Sequence, residues 1–254
     1  MITDFLMKVE EINPYGEDGE KGKQVEEMFD SISRKYDRMN SLMSLGQHRH
    51  WRNKALNAAL KELSVKQNLN LLDVATGTGD VAFRLHSLLP DARITGIDLS
   101  DGMLSIARKK LNKLPAADRD LLAFGKGDSL SMPFHDGVFD FITVAYGVRN
   151  FSNLRKGIEE IRRVLRPGGV LCIIELSTPT GFITKTAYNL YSGKIIPWIG
   201  KKVTGDSRAY SYLPESIAAC PQREDMAALL YGEGFCHVEW KSLSFGALTY
   251  YVGR

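Results

Sequence analysis

Asp73, Asp98, the Asp128-Ser129 pair and the turn Gly77-Thr78-Gly79 are the residues whose types and spacing could do chemistry. Asp73 falls near the end of the apolar run LNLLDVA, and the two glycines that follow let the backbone bend tightly and come close to a ligand. Residues 80–89, DVAFRLHSLL, carry apolar side chains at helical period. The turn therefore opens a helix whose unpaired N–H groups favour a carboxylate or phosphate. Asp98 closes the next apolar run, 19 residues beyond Gly79, where a carboxylate accepts hydrogen bonds from both hydroxyls of a ribose. Asp128-Ser129 lies where a third crossover returns to the sheet, placed to meet an adenine amino group. The combination implies a nucleoside cofactor.

Gly77 through Ala82 also satisfies the G-x-G-x-x-A form of the dinucleotide fingerprint, so the glycines alone do not choose the cofactor. The acids do. Asp73 and Asp80 would repel a pyrophosphate, whereas Asp73 suits the ammonium of a methionine moiety. S-adenosylmethionine is the expected cofactor, and an NAD(P)-dependent oxidoreductase is the second reading.

Positioning these residues requires alternating strands and helices. Apolar runs near 69–74, 93–98, 121–125, 139–145 and 170–176 read as strands with amphipathic helices between them. The last follows a helix end and a Pro-Gly-Gly turn in RVLRPGGVLCIIEL, residues 163–176. This pattern predicts an α/β, Rossmann-like, doubly wound and mostly parallel sheet. A helix over 222–233 and two apolar runs, CHVEWKSL and GALTYYVGR, predict a closing strand pair.

The chain divides into a flexible stretch 1–22, helical residues 23–62, a cofactor-binding half 68–176, an insertion 177–221 and a closing part 222–254. At 254 residues and 44% hydrophobic content, one domain spanning 23–254 with appendages is expected. The three cysteines, Cys172, Cys220 and Cys236, lack metal-ligand spacing and imply a reducing compartment. The acidic N-terminus does not read as a signal peptide and no long apolar span occurs, so a cytoplasmic protein is expected. A net charge of +3 gives no footprint for nucleic acid. In the insertion, Phe182, Tyr188, Leu190, Tyr191, Ile195, Ile196, Trp198 and Ile199 lie among Lys185, Lys194, Lys201 and Lys202. That mixture predicts a helical cap over an apolar substrate, resting on an anionic membrane surface.

Longer motifs now carry a resemblance. YDRMNSLMSLGQHRHWR, residues 36–52, resembles the first signature of the ubiquinone/menaquinone-biosynthesis C-methyltransferases, with Ser44, His48 and Trp51 at its Ser, His and Trp positions. RVLRPGGVLCIIELS resembles the second, with Arg166 where many members carry Lys. AYGVRNF at 145–151 and SYLPESI at 211–217 are similar to further family motifs, so the likeness runs from 24 to 254. Ala145 departs from it, standing where some relatives place a cofactor-contacting Ser.

The resemblance implies a class I methyltransferase fold and transfer of a methyl group from S-adenosylmethionine to a ring carbon of a reduced, prenylated quinone. The acceptor is a naphthoquinol, demethylmenaquinol, or the benzoquinol precursor of ubiquinone. A noncatalytic scaffold would keep the fold without turnover. Ring carbon becomes nucleophilic when the adjacent hydroxyl ionises, and for a phenol of pKa near 10 that costs about 4 kcal/mol at pH 7. Arg149, beyond the fourth strand, could return about 1.5–3 kcal/mol through a charge-assisted hydrogen bond. His50 is the expected proton acceptor and Tyr146 and Tyr36 possible donors, with Asn40, Trp51 and Asn150 also facing substrate. A sulfonium is already an activated methyl donor, and His48-x-His50 lacks a third clustered ligand, so no metal is expected. A homodimer is left open.

Overall fold

The computed structural model of the protein describes residues 9–16, 19–65, 67–191 and 207–254. Its strands are β1 (Asn70–Val74), β2 (Arg93–Asp98), β3 (Leu122–Lys126), β4 (Phe139–Ala145), β5 (Leu165–Leu176), β6 (Val238–Leu243) and β7 (Leu248–Gly253). Described helices are α1 (Lys21–Ile32), α2 (Tyr36–Met43), α3 (Gln47–Ala59), α4 (Asp80–Leu88), α5 (Asp101–Leu111) and the single turn α6 (Ala116–Arg119). They continue with α7 (Leu154–Val164), α8 (Phe182–Leu190), α9 (Ser207–Ala219) and α10 (Glu224–Gly232).

The strands form one sheet in the order β3-β2-β1-β4-β5-β7-β6. Pairing is parallel from β3 through β5, and β7 enters antiparallel between β5 and β6, with Cys172 opposite Val252. The central strands are apolar on both sides because helices cover both faces. On one face α7 and α10 bury Ile158, Ile161, Met226 and Leu230 against β4 and β5. On the other, α3 and α4 bury Ala55, Leu56, Ala82 and Leu85. A third cluster joins Met28, Ile32 and Met39 of the N-terminal helices to Met103 of α5 and Tyr212 of α9.

The sequence of α7 shows why these helices end where they do. Asn153 Oδ1 accepts from Lys156 N at 2.8 Å, capping the first turn. Apolar residues recur at 154, 158 and 161, and Arg162 and Arg163 sit at the negative end of the helix dipole.

The expected strands and the closing pair are present. The Arg166-Pro167-Gly168-Gly169 turn loops out within β5, between Leu165, which pairs with Phe139, and Val170, which pairs with Phe141, and Gly168 turns at φ +76°. The described residues of 1–22 make contacts that composition does not suggest. Val9 is fully buried, Glu10 Oε1 accepts from Leu154 N at 2.9 Å, and the Lys21 ammonium donates to Val9 O and to Arg149 O. Composition reads as loose there because the partners are distant in sequence. Within the insertion α8 and α9 are helical as expected, while Lys194, Ile195, Ile196, Trp198, Ile199, Lys201 and Lys202 lie outside the described residues.

Candidate active site

The strand order reverses between β1 and β4, and such a switch point leaves a crevice at the carboxyl ends of the strands. Ala75 and Tyr146, the residues just after β1 and β4, both adopt left-handed backbone, with φ of 53° and 58°. For non-glycine residues that conformation is strained and concentrates at functional sites. Two adjoining cavities open here, of about 250 and 90 Å³, sharing Phe29, Tyr36, Ala75, Gly77, Ala145 and Tyr146 as walls.

Gly77 lines both, with Asp73 and Asp80 on the larger and Asp98 on the smaller. Gly77 has φ +56°, and a side chain there would enter open space, so a ligand can approach its backbone. Its N–H donates to Asp98 Oδ2 at 2.7 Å, and Ser100 N donates to Asp98 Oδ1 at 2.9 Å. Each carboxylate oxygen keeps a lone pair for a hydroxyl. Gly79 has a different role from the one expected. It starts α4 with φ +83°, and an added Cβ would lie 2.8 Å from the Phe83 ring, so it is required by packing and does not line either cavity. Asp73 is buried and accepts from Thr143 Oγ1 and Thr76 Oγ1, both at 2.6 Å. Burial outweighs those bonds and pushes its carboxyl up to about 6. The smaller cavity is lined by Asp98, Asp128, Ser129 and Asn150, with Gly22, Val25 and Glu26 of α1 on the opposite side.

Arg149 lines the larger cavity and is held from behind. Nη1 donates to Glu175 Oε1 at 2.7 Å and to Tyr146 O at 2.5 Å, and both side chains of this ion pair are buried. Arg149 Nε and the Tyr146 hydroxyl are buried without a hydrogen-bond partner among the described residues. Glu175 was not anticipated. Nothing in the spacing of residues 149 and 175 marks a pair, and a single Glu near a strand end resembles an ordinary solvated terminus. Burial raises the hydroxyls of Tyr36, Tyr146 and Tyr212, and that of Tyr188 to about 12, so all four are neutral donors near pH 7. Tyr212 already donates to Asn150 Oδ1 at 3.1 Å.

The histidine expectation is corrected. His50 is exposed on α3 and does not line either cavity, whereas His48 is buried and lines the larger one. α3 begins at Gln47 after left-handed Gly46, and at about 100° per residue positions 48, 51, 52 and 55 face inward while 50 faces out. Ser44 Oγ donates its one proton to Asn40 O at 2.6 Å, so at 2.7 Å from His48 Nδ1 it must accept. Nδ1 then carries the ring proton and Nε2 is the basic nitrogen. Burial, reinforced by Arg52, lowers the His48 pKa and keeps the ring neutral. Trp51 and Asn40 also line this cavity, and Trp51 Nε1 donates to Ser244 Oγ at 2.8 Å.

A polar network fastens the N-terminal helices over the turn. Lys110 of α5 lies 2.7 Å from Asp37 and 2.8 Å from Asp80, and Thr78 Oγ1 donates to Asp37 Oδ1 at 2.6 Å. Arg52 meets Asp80 at 3.1 Å, Asp30 accepts from Ser100 Oγ and Gly102 N, and Lys126 meets Glu26 at 2.6 Å. Thr78 is thus committed to protein partners.

A strand-end carboxylate with spare lone pairs, an open glycine backbone and a buried acid suited to an ammonium together fit a nucleoside that carries a charged amino-acid end. The fold and this crevice define a Rossmann-like class I methyltransferase. A SAM-dependent methyltransferase from Thermotoga maritima shares the fold, with TM-score 0.58 and 19% identity over 89% of this chain and 98% of that one. The model of the ubiE/COQ5 methyltransferase family matches residues 17–254, and the chain belongs to that family. It is similar to the demethylmenaquinone methyltransferase of Bacteroides fragilis, 44% identical over 96% of this chain and 97% of the relative. It is also similar to the ubiquinone/menaquinone biosynthesis C-methyltransferase UbiE of Paracoccus denitrificans, 38% identical over 92% and 91%.

Proposed function

We propose that this protein transfers the methyl group of S-adenosylmethionine to a ring carbon of a reduced prenylated quinone, and that the acceptor is demethylmenaquinol. The observation that carries the reading is the joined pair of cavities. An acidic, glycine-lined compartment for the donor opens directly into one lined by Arg149, five tyrosines and Trp51. The similarity to demethylmenaquinone methyltransferases supports the choice of ring.

The donor's adenosine lies in the smaller cavity, its ribose on Asp98 and its adenine beside Asp128 and Ser129, with the ammonium at Asp73 and the backbone of Gly77 against the methionine part. When bound, the sulfonium supplies an activated methyl group. The protein's own groups supply the acceptor. Arg149 and Tyr146 have buried N–H and O–H groups without partners among the described residues, and both are suited to donate to the developing phenolate oxygen. Tyr36 and Asn40 orient the ring, whereas Asn150, expected to face substrate, lines the smaller cavity with the donor. His48 Nε2 takes the hydroxyl proton, in place of His50. Enclosure by Trp51, Tyr188 and Leu213 excludes water and holds the reactants in line.

We infer a membrane contact on the same side. No helix among the described residues is long and apolar enough to cross a membrane. Yet Leu45, Phe182, Ile183 and Phe245 are each at least 80% exposed. Three segments bring them to the mouth of the larger cavity: Tyr191 Oη donates to Met43 O at 2.8 Å, Trp51 bonds Ser244, and Gly246 abuts Pro179. A prenylated substrate dissolved in a bilayer would enter across such a rim.

The test is methyl transfer from labelled S-adenosylmethionine to chemically reduced demethylmenaquinone, beside the demethylated benzoquinol and an oxidised-quinone control. Label in the naphthoquinol alone supports the assignment, and label in both rings makes the enzyme dual. No label in either, with donor binding intact, refutes the substrate.

A further inference from the structure

Glu175 sits behind the guanidinium of Arg149 and does not line the cavity. Its carboxylate is 3% exposed, accepts from Arg149 Nη1 at 2.7 Å and from Leu176 N at 2.8 Å, and lies 3.5 Å from Arg149 N. The pair is anchored to backbone on both sides, since the same Nη1 also donates to Tyr146 O. Arg149 is therefore held in a fixed position at the cavity wall while its net charge is cancelled locally. Asp73, Thr76 and Gly77 line that same cavity.

An unbalanced guanidinium buried here would project a positive potential across a space of about 250 Å³. A donor with a cationic sulfur would be repelled by it, whereas the thioether left after methyl transfer would not. Glu175 cancels the charge at long range while Arg149 stays ionised, so a short-range hydrogen bond from it remains charge-assisted. We propose that Glu175 is a positioning and charge-balancing residue: it orients Arg149 toward the acceptor and makes the cavity tolerate a sulfonium beside that arginine. The proposal rests on the reading of S-adenosylmethionine as the donor.

The test is isothermal titration of the full-length protein with S-adenosylmethionine and with S-adenosylhomocysteine, which differ by the methyl group and its positive charge. In Glu175→Gln the ratio of the two dissociation constants shifts toward the thioether by about tenfold, the size expected for a charge about 12 Å away at an effective dielectric near 20. Glu175→Asp retains the charge and keeps the ratio near that of the unmodified protein. If the amide variant does not fold, Glu175→Met removes the charge without adding polar groups and carries the same expectation. Combining it with Arg149→Met removes both charges and returns the ratio. Equal weakening of both ligands, or no change in ratio, would overturn the proposal by reducing Glu175 to a packing role. Failure of the unmodified protein to bind either ligand would instead overturn the donor assignment.

Discussion

Replacing Asp73 with Asn should make the free protein more stable at neutral pH while destroying its affinity for the donor. The carboxyl is fully enclosed and held at about 6, against 3.8 for an exposed group. A folded pKa above the unfolded one means that the group favours folding below about pH 4, where both states are protonated. That contribution is lost as pH rises through 6, because the unfolded chain ionises first. The difference of roughly two pKa units corresponds to about 3 kcal/mol above pH 6. Asparagine abolishes this loss but is a poorer acceptor for Thr76 and Thr143, at about 1 kcal/mol each. The expected outcome is a gain of about 1 kcal/mol at pH 7.5, or about 2–4 °C in Tm for a chain of this size. At pH 4.5 the balance reverses to a loss. Thermal melts of both proteins across that range, paired with titration of S-adenosylmethionine, provide the assay. A stability difference that does not change with pH would refute the reasoning about burial, and retained donor affinity would refute the ammonium contact.

Other perturbations have equally definite expectations. Arg149→Met should lower turnover about 10- to 100-fold, as expected from losing one charge-assisted hydrogen bond, while donor affinity does not fall, because the Glu175 charge left behind favours a sulfonium; equal losses in both would contradict its place at the acceptor. The same change leaves Glu175 buried and unpaired, so melts should show a loss of about 3–5 kcal/mol, and kinetics must be run below the lowered Tm. His48→Ala should depress turnover while His50→Ala leaves it within twofold. In the unmodified enzyme the rate should fall as pH drops through a value below 6.5, since burial lowers the His48 pKa and only the neutral ring accepts a proton. Flotation on anionic vesicles should be reduced by Phe182→Glu or Phe245→Glu and unaffected by Val65→Glu, an exposed apolar residue outside the rim; equal flotation of all three would refute the membrane face.

Much of the crevice was legible because it depends on local rules. A glycine turn after an apolar strand, an acid at the tip of the next strand and regular alternation with helices place Asp73, Gly77 and Asp98 at the strand ends without any knowledge of distant contacts. What the sequence did not show is decided by helix phase or long-range pairing. His50 and His48 differ by two positions, and which of them faces the cavity depends on where α3 begins, which left-handed Gly46 sets. Glu175 is meaningful only because β5 lies beside β4, bringing it to Arg149. Val9 and Lys21 look like parts of a loose tail until the Arg149 carbonyl is placed above them.

The network around Lys110 has a consequence for traffic. One wall of the smaller cavity is α1, joined to the sheet by side-chain contacts at Glu26 and Asp30, and it continues into the Asp37–Lys110–Asp80–Arg52 cluster. Such a wall is fastened by charges that remain partly in water, and dissolved ions compete with charges of that kind. Raised ionic strength should therefore loosen this clasp, and Glu26, Asp37, Arg52 and Asp80, which line the two cavities, should feel it first.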